Sequence, residues 1–527
     1  MIKFIKSQPK RHNKLSDYLP WACFVAPGVI WQKDGLLQKT IAFRGPDLDA
    51  ASAETINGLS WQLNDAIKRY GTGWGFHFEF QKYKTAFYPG SRFTNRAAYL
   101  VDEERRLAFV RSGEHFDSCC YLTTWYKLPE ANLEKAKSFF YSASGGETSI
   151  SEEVDRFVGN VSDLKGIMSS RMLVDELDDD MTLSYLHTSV SMDWHKLRAP
   201  GALEYIDCIL PDSKVEVGST LKLGDFYIPI LTINDFPTET YPGILDTLNK
   251  ARLEFRWVTR YINMGKEEAL SAIGKYQAAY FGKRKTFLQV AGEAATKEPG
   301  SGRINQGAMA LEADANEAQI EVTNDTVGYG YYTSSVMVWD TDYKKAIEKA
   351  TEIKRVVQTN GFVCFHDEFN ALEAWFGMMP GNAMANRRRP LVSTGNLSHV
   401  IPLTAIWSGD KENSFLSETI GDGTPHMVCS TKFATPFYLN LNVGDVMHTF
   451  IAGPSGAGKS VLLGTLAIQF LRYENARVII FDKDRSARQL TRAVGGDYYE
   501  PGTGHIAFQP LAELESEEDI IWASEFI

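Results

Sequence analysis

Near the start of the chain the spacing of apolar positions switches between the period of a strand and that of a helix. In VIWQKDGLLQKTIAF two apolar runs flank Asp34-Gly35. A tight turn there needs the positive φ that glycine supplies, so the stretch predicts a β-hairpin. From Ile56, the positions Leu59, Leu63, Ile67 and Tyr70 recur three or four residues apart and predict a helix with one apolar face. Phe76, Phe78 and Phe80 then alternate with His77, Glu79 and Gln81, the two-residue period of a strand. A second helical stretch around Arg96 to Arg106 and the strand YLTTWYKL complete a small α/β sandwich. The Ser/Gly-rich run from Ser142 to Ser149 has no apolar period and marks a first boundary.

Further on, a helix near Ile244 to Arg252 leads into the strand FRWVTRYI, a long helical stretch and the strand SSVMVW. A helix from Asp342 carries Ile347, Ala350, Ile353 and Val357 on one stripe, Gly361 should stop it, and FVCF reads as a short strand. The order helix, strand, helix, strand thus occurs twice and points to an internal duplication. KEPGSGR at 297–303 has the turn chemistry of a loop rather than of a domain boundary.

The pattern then changes character. HTFIAGPSGAGKSVLLGTLAIQFLRY orders a short apolar strand (His448 to Ala452), a glycine-rich turn and an apolar helix from Lys459. Gly453, Gly456 and Gly458 let the backbone curl until successive N–H groups point inward, and the helix adds the positive end of its dipole. The expected nucleotide-binding stretch is Gly453, Pro454, Ser455, Gly456, Ala457, Gly458, Lys459, Ser460 and Val461. Lys459 is placed to neutralise the β- and γ-phosphates of ATP, as the catalytic charge, and the Ser460 hydroxyl to ligate Mg²⁺.

VIIFD at 478–482 reads as a second strand and KDRSARQLTRAVGG as a helix, which would make a parallel βαβ arrangement with the P-loop unit. Asp482 ends an apolar strand, as a Mg²⁺-orienting Walker B carboxylate would. In the larger ATPase class that strand comes later in the chain, beside a glutamate. The competing role of Asp482 is to shape the following loop with Lys483 and Asp484. Too few elements follow the P-loop to complete a five-stranded nucleotide-binding sheet, so a truncated protein is expected.

Composition narrows the class without changing the site. The 527 residues exceed what one hydrophobic core holds, so several domains are expected. A formal charge of −11 gives no global attraction for nucleic acid and leaves nucleic-acid binding open only through a local basic groove. No uncharged apolar run approaches the roughly 18 to 20 residues of a membrane span, and MIKFIKSQPKRHNK lacks a signal-peptide apolar region, so a cytoplasmic protein is expected. The six cysteines lack metal-ligand spacing and read as reduced, structural thiols. Arg387 to Arg389 read as a solvated loop, His366-Asp367-Glu368 as an exposed strand end, and YGYYT from Tyr329 as sheet and core positions.

Several longer stretches carry a family resemblance: YLPWACFVAPGVIWQKDGLL, WFGMMPGNAMANRRRPLVSTGNLSHVIPL, TPFYLNLNVGDVMHTFIAGPSGAGKS and IFDKDRSARQLTRAVGGDYYEPGTGHIAFQPL. Together they resemble the CagE/TrbE/VirB family of type IV secretion and conjugation ATPases, and the TrbE type in particular. The resemblance implies an α/β protein with N-terminal α+β sandwich-like domains followed by the start of a RecA-like P-loop domain. The expected divisions are 1–145, 146–405 and 406–527. It assigns phosphate binding to the GPSGAGKS backbone, charge neutralisation to Lys459 and the metal to Ser460. It makes Asp482 to Arg485 a second-strand motif, with Walker B, the catalytic glutamate and the arginine finger beyond Ile527. It further implies a motor that assembles with its copies, often as hexamers, and works with inner-membrane and cytoplasmic components of a secretion channel, peripheral at the inner face of the inner membrane. The competing readings are a nucleotide-ordered docking scaffold and a DNA-pumping coupling ATPase.

Overall fold

The structure is a computed structural model that describes residues 14–90, 92–129, 147–201, 203–284, 306–386, 390–501, 511–512 and 514–527. The turn expected at 297–303, the arginines at 387–389 and most of the boundary run 142–149 lie outside the described residues. By contacts the chain divides into two units, Met1–Lys84 with Phe116–Trp407, and Thr85–His115 with Ser408–Ile527.

The larger unit begins with strands β1 (Trp21–Ala26), β2 (Val29–Gln32) and β3 (Leu36–Arg44). The β2–β3 hairpin turns at Asp34-Gly35, where Gly35 has φ +89° and its N–H donates to Gln32 O at 3.0 Å. Helix α1 (Ala53–Ile67) is capped by the Ser52 side chain and buries Leu59, Leu63 and Ile67, the stripe read from the sequence. Strand β4 (Trp74–Thr85) follows, then helix α2 (Arg96–Arg111) within the smaller unit, and the chain returns through β5 (His115–Lys127). Helix α3 (Glu147–Ser169), β6 (Leu173–Glu176) and α4 (Asp179–Thr188) complete the first half.

The second half opens with a small antiparallel sheet of β7 (Val215–Glu216), β8 (Leu221–Leu223) and β9 (Phe226–Ile228). Strand β10 (Ile230–Ile233), a 3₁₀ turn (Asp246–Lys250) and β11 (Phe255–Asn263) follow. Helices α5 (Lys266–Arg284) and α6 (Gln306–Thr323) then lead to β12 (Tyr329–Val338), α7 (Tyr343–Thr359), β13 (Cys364–His366), α8 (Ala371–Gly377), β14 (Leu391–Ser393) and α9 (Thr394–Val400). The helix expected over 244–252 is only the 3₁₀ turn. Leu245, Leu248 and Ala251 recur every third residue and are all buried, which fits three residues per turn better than 3.6.

One large sheet takes the order β1-β2-β3-β5-β4-β11-β12-β10-β13, with β6 paired to β3 and β14 to β12. Beyond β3 its outer edge is shared, since β2 pairs with Leu37–Lys39 and β6 with Ile41–Arg44. The duplication has a counterpart here. The first half is laid out β4-β5-β3-β6 and the second β11-β12-β10-β13, so strands in corresponding chain positions hold corresponding places. The halves meet along the antiparallel β4–β11 ladder, from Phe255 opposite Lys82 to Ile262 opposite Gly75. The sheet therefore crosses the boundary expected at 145/146.

Both faces of the sheet are covered. Phe76, Phe78, Phe80, Trp257 and Tyr261 pack with α1, α3, α7 and α9 on one side. Trp21, Ile30, Val258 and Met337 pack with α4, α8 and the small sheet on the other. Hence His77, Glu79 and Gln81, expected on a solvated face, are as buried as the phenylalanines between them.

The smaller unit holds α2, helix α10 (Ser414–Ile420), the hairpin β15 (Met427–Ser430) and β16 (Pro436–Leu439), helix α11 (Lys459–Phe470), α12 (Arg488–Ala493) and α13 (Glu517–Phe526). The parallel strands expected at 448–452 and 478–482 are not formed among the described residues. A strand exists only through its ladder, and no described segment pairs with either stretch. Their apolar side chains stand in solvent: Phe450 is 92% exposed and Phe481 97%.

Candidate functional site

The glycine-rich loop Gly453–Gly458 and the first turn of α11 form the candidate site. Gly456 and Gly458 have φ of +81° and +86°, the left-handed region that an L-residue enters only at a cost. A Cβ built on either meets nothing within 4 Å. Their requirement is therefore dihedral, not steric, in contrast to the obstruction argument that the sequence suggests. Gly458 is the N-cap of α11, and no side chain caps that turn. The leading N–H groups of a helix lack intrahelical partners, so this end offers donors and the positive end of the dipole to an anion.

Lys459 is folded back over the loop, its Nζ donating to Gly453 O and Pro454 O at 2.8 Å each. The ammonium thus lies inside the curl of the loop, where it braces the backbone that a phosphate chain would share. Ser460 is exposed in the same first turn. These residues fit a nucleotide polyphosphate with its magnesium ion: backbone donors, one mobile cation and one free hydroxyl.

The far end of α11 is built differently. Leu466 and Gln469 are buried. His426, just before β15, lies 2.9 Å from Leu466 O through Nε2 and is stacked near Phe470 and Tyr473. Burial lowers its pKa to about 4, so the ring is neutral and Nε2–H donates to that carbonyl. Beside this end is a cavity of about 1030 Å³, lined among others by Ile468, Leu471, Ile479, Phe481 and Leu490; none of Gly453 to Val461 lines it.

Asp482 does not face an open metal position. Its carboxylate accepts from Ala487 N at 2.7 Å, Asp484 N at 3.1 Å and Ser486 Oγ at 3.2 Å, and the Ala487 N–H foremost holds its pKa below the usual range. It shapes the loop leading into α12, the competing role read from the sequence. Asp367 is buried and bonded to Thr232 Oγ1 rather than exposed, while His366 is half-buried with its pKa lowered by desolvation. Among the described residues no cluster of three or more His, Cys, Asp or Glu could hold a metal, and all six cysteines are free. Tyr332 is fully buried and Tyr329 and Tyr331 are half-buried, as core and sheet positions.

Sequence reasoning missed one segment of this unit. Residues Thr85–His115, on the connection from β4 to β5, are built into it. Arg105 donates to Val428 O at 2.5 Å, Asn95 to Val494 O at 2.7 Å, Tyr438 to Phe87 O at 2.9 Å and Arg472 to Asp102 Oδ1 at 3.0 Å. No local signal marks pairs hundreds of residues apart.

A mixed α/β chain with an antiparallel N-terminal sheet and a P-loop-like turn defines a class: the P-loop ATPase family of type IV secretion components. Residues 28–134 match the family model of the N-terminal domain of the type IV secretion system ATPase VirB4/TrbE, and residues 174–388 match that of the CagE, TrbE, VirB family, component of type IV transporter system. The chain belongs to the CagE/TrbE/VirB family and within it to the VirB4/TrbE type. It is similar to the conjugal transfer protein TrbE of Rhizobium radiobacter, with 30% identity over 98% of this chain and 66% of that protein. A probable conjugal transfer protein TrbE of Sinorhizobium fredii is 34% identical over 66% of this chain and 52% of its own length. The type IV secretion system protein virB4 of Bartonella quintana is 22% identical over 97% of this chain and 63% of its own. The chain thus spans between half and two thirds of the length of these relatives. Among the described residues no helix is long and apolar enough to cross a membrane.

Proposed function

We propose that this chain binds ATP with Mg²⁺ at Gly453 to Val461 and belongs to an ATP-hydrolysing motor of a type IV secretion or conjugative transfer system. The motor would drive channel or pilus assembly and substrate transport. The observation that carries this reading is the loop itself: two glycines in the left-handed region, an uncapped helix start, and the Lys459 ammonium held over the loop by two carbonyls. When bound, the magnesium ion supplies charge neutralisation at the phosphates. The Gly456 to Ser460 backbone would hold the phosphates, Lys459 would leave the carbonyls of Gly453 and Pro454 for them, and Ser460 would face the metal. The same reading places the protein with its own copies, as hexamers, among inner-membrane and cytoplasmic components of the channel, peripheral at the inner face of the inner membrane.

Lys459→Ala tests it. Losing one charged donor to phosphate should cost roughly 1.5 to 3 kcal/mol of binding, or about 10- to 150-fold in Kd for a magnesium–ATP analogue by calorimetry, and abolish ATP turnover by the full-length protein. Equal affinity and turnover in the variant and the wild type would refute the reading.

A further inference from the structure

The contacts of α11 are concentrated at one end. Its N-terminal half is open, with Val461 73%, Leu462 40% and Leu463 49% exposed. Two residues past its last turn, Arg472 is 3% exposed and its guanidinium is held on several sides. It donates to Pro425 O at 2.7 Å, to Gln469 Oε1 at 2.8 Å and to Asp102 Oδ1 at 3.0 Å, and it lies 5.3 Å from the centroid of the Phe93 ring. Asp102, on α2, is completely buried and also accepts from the Tyr88 hydroxyl at 3.1 Å. Breaking a buried ion pair by removing one partner leaves the other charge uncompensated, whereas replacing both by apolar groups of similar volume is often tolerated.

The duplication sharpens the point. The connection from β4 to β5 has its counterpart in the connection from β11 to β12, which carries α5 and α6. That second connection belongs to the sheet unit, but the first belongs to the unit that contains the P-loop. Membership of the P-loop unit is therefore not inherent in the repeat. It depends on specific residues of the first connection, and Asp102 is the buried charge among them.

We propose that Asp102 is a positioning residue for nucleotide binding: by pinning Arg472, it fixes the direction in which α11 presents Gly458 to Ser460. The inference rests on the nucleotide-binding reading of the loop. A 12-residue helix is about 18 Å long. Turning it by some 5° about the pinned end moves the other end by roughly 1.5 Å, enough to misplace phosphate donors. Asp102 touches no ligand and acts only through the orientation of the helix.

The test uses the full chain with the substitutions D102N, D102L/R472M and K459A, titrated with a magnesium–ATP analogue at a temperature where each is folded. Backbone exchange over residues 96–111 is followed in parallel. D102N should weaken binding by about tenfold or more, and D102L/R472M, which keeps volume without charge, should restore it. The analogue should protect residues 96–111 from exchange in the wild type and not in K459A or D102N. A purely structural role would lower the melting temperature of D102N while leaving the affinity of its folded fraction and its exchange response unchanged, and that result overturns the inference. So does a folded D102L/R472M that binds as poorly as D102N. Should D102N not fold, R472K, which keeps the charge but gives up the planar fork, takes its place under the same criteria. No binding by the wild type would instead bring down the nucleotide reading and this inference with it, a result distinguishable from the others.

Discussion

At the scale of single residues, His426 ties the packing of the P-loop helix to pH. Its ring is 3% exposed, bonded to Leu466 O, and close enough to Arg472 that a second positive charge there is disfavoured. Desolvation is the larger cause, and it lowers the folded pKa to about 4 from an ordinary 6.5. Between those values the unfolded chain binds more protons than the folded one. The stabilising contribution is therefore complete above pH 6.5 and is lost as pH falls toward 4, by about 3 kcal/mol. Exchange-detected stability of residues 408–501 should fall over that window, and His426→Gln, which keeps a donor and cannot titrate, should flatten the slope. An equally steep decline in the variant would show that another group controls it.

At the scale of elements, what was legible in the sequence was what is decided locally. Helix α7 shows this. The Asp342 side chain accepts from Lys344 N and Lys345 N, the stripe Ala346, Ala350, Ile353 and Val357 is buried, and Gly361 with φ +85° ends the helix. Cap, period and stop all lie within about twenty residues and need no partner to be read. Ile353→Ala should accordingly cost about 2 to 5 kcal/mol by removing a fully buried side chain, while Asp342→Ala should cost about 1 kcal/mol through the lost cap. Denaturant unfolding that ranks the two in the opposite order would contradict this account. The P-loop was legible for the same reason, since its glycines, lysine and helix are contiguous. The stretches 448–452 and 478–482 have the composition of strands, yet a strand is a relation to a neighbour, and composition cannot supply the neighbour. Nor could spacing reveal that residues 85–115 join the P-loop unit, because their partners are Val428, Arg472 and Val494.

At the scale of the whole sheet, the two repeats must be held together along the β4–β11 ladder, and that seam mixes two kinds of interaction. On one face Phe76, Phe78 and Phe80 meet Phe255, Trp257 and Tyr261 as a continuous apolar layer. On the other, Glu79 of β4 pairs with Arg256 of β11, 1% and 4% exposed, and Tyr185 of α4 donates to the same carboxylate at 2.7 Å. Arg256 Nη1 also donates to Thr188 O at 3.2 Å, so the guanidinium links both repeats to the helix that covers them. The desolvation cost of such a pair is recovered only while every partner is present. Arg256→Ala should therefore cost about 3 to 5 kcal/mol by leaving Glu79 charged and buried, and Glu79→Ala should do likewise by stranding Arg256. The joint replacement Glu79→Leu with Arg256→Met should be close to neutral, because it removes both charges and keeps the volume. A double-mutant cycle on denaturant unfolding measures this directly. If the two single losses simply add in an alanine double variant, Glu79 and Arg256 are independent core residues, and the repeats are joined by the backbone ladder and the aromatic face alone.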